Sequence, residues 1–207
     1  MENWEKAKEL AERYFYPHWK WWWLILAVVY WAFRRQGKQI WFSLKKEKKK
    51  IFRQVGLFLL VMALVHFLVK SIFISLFSTA QAKLIERLIQ QITEAKSFCG
   101  LLPVIFGSCL VAPIIEECLY RFFIFEVLGK RNIFSYLLSY FTFILAHWQT
   151  SGDNFVSLFA QYSVAAIGFI WIYKKSNWNL IYPIILHSLV NLLFISMTLI
   201  NPNFPLF

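Results

Sequence analysis

The sequence predicts an all-α fold: a polytopic transmembrane helical bundle of about six spans, with amphipathic interfacial helices beside it. Three observations predict this. Of 207 residues, 59% are hydrophobic and 20% aromatic while only 16% are charged, more apolar surface than a soluble domain of this length uses. The apolar residues gather into long runs with basic residues between them. The net charge of +11 lies beside those runs and is accompanied by no nucleic-acid-binding motif, so membrane lipids with anionic headgroups are the expected partner, and nucleic acid is not.

Residues 2–16 carry Trp4, Ala7, Ala11 and Tyr14 at helical spacing among charges, the pattern of an interfacial helix. The alternation of Glu with Lys and Arg over residues 1–18 argues against a cleavable signal peptide. A first span is expected at about 19–33, opening on Trp19, Trp21, Trp22 and Trp23 as an aromatic belt. From Arg34 to Arg53 nine Lys and Arg face the single acid Glu47, which predicts a cytoplasmic loop. The second span, about 54–77, holds His66 as a packing residue and Lys70 as a snorkelling one. Residues 80–92 set Leu84, Ile85, Leu88, Ile89 and Ile92 opposite Lys83, Glu86, Arg87 and Gln90, a helix lying on the membrane surface.

The next apolar run, Phe98 to Leu128, has 31 residues. As a straight helix it would measure roughly 46 Å against a hydrocarbon core of about 30 Å, so a tilt or a break near Pro113 is expected. After the turn at Gly129–Asn132 come spans at about 133–148, 154–173 and 178–200, with basic residues in alternate loops. The chain divides into an N-terminal part, 1–97, and a core, 98–200, within one domain. Cys99, Cys109 and Cys118 show no metal-ligand spacing and read as core thiols.

Charge inside the apolar runs is where chemistry is expected. Glu116, Glu117 and Arg121 interrupt the 98–128 run, and each charge at mid-bilayer costs roughly 2.5–3.5 kcal/mol unless it is paired or reaches water. Glu117 and Arg121 stand four apart on one helical face, which pairs them and leaves Glu116 for a partner elsewhere. Two more polar pairs follow at the same spacing, Phe143 with His147 and His187 with Asn191. Counted from the turn at Lys130–Arg131, Glu116 and His147 both lie roughly 22–24 Å deep, and His187 is about 15 Å in from the same side. A shared pocket for the three is geometrically allowed.

EExxxR, FxxxH and HxxxN, in that order on successive apolar helices, resemble the three motifs of the CPBP family, which groups type II CAAX prenyl endopeptidases with bacteriocin-processing enzymes. The resemblance covers about residues 98–200. It departs at Phe122, where many relatives carry Gly, a change that bears on packing more than on chemistry. It implies an intramembrane metalloprotease in a multi-pass membrane setting such as the bacterial plasma membrane, acting on a membrane protein or peptide.

The residue inventory narrows the mechanism. Asp153 is the single aspartate, so an aspartyl dyad is missing, and neither GxSxG nor HExxH occurs. Cys118 has no evident activator in its apolar surroundings. Glu116 is left as a general base on water with His147 orienting that water, His187 and Asn191 as donors to the oxyanion, and Glu117 with Arg121 fixing the helix and the local field. One carboxylate and two imidazoles are also a set that binds Zn²⁺, so Glu116, His147 and His187 are the metal ligands if one is used; the sequence leaves both schemes open. Two other classes compete with the endopeptidase: a bacteriocin self-immunity or scaffold protein of the same fold, and a proton or ion carrier using the buried acids.

Overall fold

The computed structural model describes residues 19–77, 98–151 and 155–200. The expected interfacial helices at 2–16 and 80–92 lie outside the described residues, as do Asp153 and the side chains of Trp19, Trp21, Lys70 and Cys99. Every element among the described residues is helical. They are α1 (Trp19–Lys46), α2 (Lys48–Phe77), α3 (Phe98–Phe106), α4 (Ala112–Glu117), α5 (Ile124–Leu128), α6 (Ile133–Ser151), α7 (Phe155–Lys175) and α8 (Ile181–Ile200). Between α3 and α4, and again between α4 and α5, the chain makes a π-helical turn, at Gly107–Val111 and Cys118–Phe123.

The basic segment 34–53 is not a loop. Helix α1 continues through it to Lys46 and α2 starts at Lys48, leaving only Glu47 between them. Lys, Arg and Gln are good helix formers, so high charge ends the apolar run without ending the helix. The Lys50 ammonium and the Ser43 hydroxyl donate to Glu47 and hold its carboxyl below the usual carboxylate range. The chain must fold back here. Gln36 reaches Tyr173 while Met62 packs on Gly168, yet residues 36 and 62 would lie roughly 39 Å apart along one straight helix.

The 98–128 run also keeps its helical course past Pro113. The expected break is replaced by the two π turns, and Pro113 sits in the first turn of α4, directly after the first of them. Proline fits the first turn of a helix because its fixed φ is already helical there.

Two turns fix how the remaining helices follow one another. Gly129, at φ 94°, ends α5; Asn132 then caps α6 by accepting from the Phe134 N–H at 3.0 Å. Helix α7 ends in a Schellman turn: Asn177 at φ 56° is its left-handed residue, Trp178 N–H donates to Tyr173 O, and the Trp178 and Tyr173 rings pack at 5.4 Å.

Two apolar clusters hold the bundle together, and both mix the N-terminal helices with the later ones. Ile51, Val55 and Met62 of α2 pack with Phe143, Phe169 and Leu186. Val28, Ala32 and Ile40 of α1 pack with Cys118, Phe122, Phe125 and Tyr173. Phe122, the departure from the family pattern, is fully buried and meets Trp31 of α1 edge to face at 5.0 Å.

Two stretches are long and apolar enough to cross a membrane, Lys48–Leu68 and Leu102–Leu128, with Ile133–His147 and Ile181–Met197 as shorter apolar helices. Only 17% of the most apolar part of each long stretch is buried inside the protein. A core helix of a soluble protein would be mostly covered, so these two stretches are candidates to cross a membrane.

Candidate active site

The site is built where α4, the second π turn, α6 and α8 meet. Glu117 is its centre. Its side chain is fully buried; Oε1 accepts from His187 Nδ1 at 2.9 Å, and Oε2 lies 3.2 Å from Arg121 Nε. The first contact joins α4 to α8 and was not legible in the sequence, where Glu117 had Arg121 as its partner. Arg121 is within ion-pair distance, but its N–H groups are not aligned for a hydrogen bond to Glu117 or to any other described residue. Its guanidinium lies instead over the faces of Phe143, 4.4 Å from the ring centre, and Phe169, at 5.2 Å. Such desolvated cation–π contacts contribute about 2 kcal/mol each and offset part of the cost of burying the charge.

Glu116, one position earlier, points elsewhere. Its Oε2 lies 3.6 Å from His147 Nε2 and 3.9 Å from His187 Nε2, so the three side chains expected to share a pocket do share one. Both distances are too long for a direct hydrogen bond. That oxygen is enclosed and has no hydrogen-bond donor among the described residues.

The two imidazoles are held from behind. His147 Nδ1 lies 2.8 Å from the carbonyl oxygen of Phe143, which only accepts, so Nδ1 carries the hydrogen and Nε2 presents a lone pair towards Glu116. This is the role of the FxxxH spacing: the backbone of Phe143, one turn earlier, sets the tautomer. His187 is fixed by Glu117 and stacks on Phe169 at 4.5 Å, while Tyr162 lies over His147 at 4.3 Å. Tyr162 and Phe169 were missed in the sequence, although their seven-residue spacing puts them on one face of α7.

Asn191, expected to serve the oxyanion, has its amide engaged with the first π turn. Its Nδ2 donates to the Ser108 carbonyl oxygen at 2.7 Å, across from the first π turn. Cys118 is wholly buried beside Glu117, and Cys109 is half-buried.

The expected Zn²⁺ ligands are therefore gathered but not closed. In a tetrahedral site with bonds of about 2.0–2.1 Å, ligand atoms stand roughly 3.3–3.4 Å apart. The separations from Glu116 are wider, and among the described residues no group of three His, Cys, Asp or Glu is arranged to hold a metal ion. As they stand, the residues do not fit the ion.

Apolar helices, two of them long enough to cross a membrane, enclose two acids, two imidazoles and a guanidinium, the build of a helical membrane protein with a buried polar centre. The profile of the family described as type II CAAX prenyl endopeptidase Rce1-like matches residues 98–193, from α3 into α8, a little under half of the chain. No curated protein and no solved structure matches the chain.

Proposed function

We propose that the protein is an intramembrane endopeptidase that hydrolyses a peptide bond of a membrane-associated protein or peptide with a water activated by Glu116 and His147. The observation that carries this reading is the enclosed Glu116 Oε2, 3.6 and 3.9 Å from two imidazole nitrogens, a spacing that suits one water bridging them. The water donates one hydrogen to Glu116 and the other to the His147 Nε2 lone pair. As its oxygen bonds to the scissile carbonyl carbon, Glu116 takes the proton. The carbonyl oxygen becomes an oxyanion, and Glu116 returns the proton to the leaving nitrogen when the C–N bond breaks.

His187 is assigned to the oxyanion. With Nδ1–H directed at Glu117, its Nε2 donates only when the ring carries both hydrogens, and the charge count then closes: Glu116 and Glu117 against Arg121 and His187. Loss of one such donor typically costs roughly 3–4 kcal/mol. The scheme above runs on side chains alone.

The six helical columns are read as six spans. Lys45, Lys46, Lys48, Lys49 and Lys50 share one end of the bundle with Lys130, Arg131, Lys174 and Lys175, since Asn179 binds Ser43 and Lys130 lies over Trp178. That end is assigned to the cytoplasmic face of a bacterial plasma membrane, where anionic headgroups meet it.

The test is cleavage of a quenched fluorescent, prenylated CAAX peptide and of membrane-peptide libraries by the protein in proteoliposomes. Glu116→Gln and His147→Ala are expected to abolish turnover while expression and insertion persist. Full activity in either variant ends the proposal. Protection against a bacteriocin that survives Glu116→Gln would favour an immunity role, and ion flux lost with the same change would favour a carrier.

A further inference from the structure

We propose that Asn191 is a positioning residue for Glu116, acting through the Ser108 carbonyl that Pro113 leaves without a backbone donor. This rests on the reading of Glu116 as the base. In the first π turn the ladder runs from each N–H to the carbonyl five residues back, and the Ala112 N–H closes it on Gly107 O. The next N–H in that register belongs to residue 113 and would reach Ser108 O. Residue 113 is proline, with no N–H to give. A peptide carbonyl left unpaired inside an apolar bundle is strongly disfavoured. Asn191 supplies the donor at 2.7 Å from one turn beyond His187 on α8.

The consequence reaches the site because Glu116 sits in α4, immediately after this turn. A π turn carries one residue more than the α turn it replaces. If it relaxes to α geometry, everything beyond it rotates by about 100° relative to what precedes. Glu116 would then leave the 3.6 and 3.9 Å separations that bring it to His147 and His187. Asn191 thus ties the register of α4 to the helix that carries His187.

The discriminating change is Pro113→Ala, which restores a backbone N–H able to reach Ser108 O and makes the amide of Asn191 dispensable. An oxyanion donor could not be replaced in that way. Asn191→Ala, Pro113→Ala and the double variant are compared in the full-length protein, by cleavage of the fluorescent peptide and by thermal unfolding in detergent. Asn191→Ala is expected to lower turnover roughly tenfold and the unfolding temperature by about 2–4 °C, the effect of one unmade hydrogen bond to a buried carbonyl. Pro113→Ala stays near the parent, and the double variant recovers most of both losses.

Recovery of unfolding without recovery of turnover overturns the proposal and makes Asn191 an oxyanion donor. An Asn191→Ala variant that unfolds like the parent overturns it as well. If the parent itself cleaves nothing, the proposed function fails, and the unfolding temperatures alone decide the link between Asn191 and Ser108. Should Asn191→Ala not accumulate, a double variant that does accumulate supports the link, and one that does not overturns it.

Discussion

Glu117 Oε1 and His187 Nδ1 meet at 2.9 Å inside the bundle, joining two helices whose residues lie 70 apart in the chain. The acid that neighbours the proposed base is therefore the residue that orients the second imidazole and faces its charge. Glu117→Gln keeps the shape but removes the charge opposite His187. Turnover is expected to fall by at least about a hundredfold with KM little changed, as when an oxyanion donor is lost. Steady-state kinetics on the fluorescent peptide measure this, and a Glu117→Gln enzyme with unchanged kcat would show that the contact is only architectural.

Arg121 is enclosed with Glu117 as its one ion-pair partner among the described residues. Arg121→Met strands a buried carboxylate and is expected to destabilise the protein by about 3–5 kcal/mol. Adding Glu117→Gln removes the stranded charge, so the double variant should regain much of that stability and none of the turnover. Denaturant unfolding in detergent, run beside the cleavage assay, separates the two effects.

Dialysis against a strong chelator is expected to leave cleavage unchanged, because the three donors are spaced for a water and not closed around an ion. Activity that disappears on chelation and returns with Zn²⁺ would replace side-chain activation with a metal-bound water.

Gln36 ties α1 to the turn between α7 and α8: its Nε2 donates to the Tyr173 hydroxyl at 3.1 Å, and its Oε1 accepts from the Leu180 N–H at 2.8 Å. Gln36→Leu leaves both partners buried and unpaired, and is expected to cost about 1–3 kcal/mol per orphaned group. Calorimetry on the purified variant reads this directly.

Much of the site was legible because it follows from spacing. Glu117 with Arg121, the level depths of Glu116 and His147, and the order of the motifs all come from counting along helices of 3.6 residues per turn. What that count could not show are the two π turns, which shift the faces presented by Glu116, Glu117 and Arg121 and carry no periodic signal of their own. The bond from Glu117 to His187 was hidden for a simpler reason: pairing by spacing gives each carboxylate one partner, and this one has two. Residues 34–53 misled because charge was read as the end of a helix, whereas charge marks only where the apolar surface stops.

Trp31 belongs to a helix outside the segment that the family profile covers, yet its indole is set edge-on against Phe122, one position past Arg121. The bulky ring at 122 and the leading hairpin thus behave as a matched pair, like a key left in its lock. Anyone trimming this protein to residues 98–193, or transplanting that segment into a homologous host, would leave a greasy notch beside the arginine, and should carry the first two helices along.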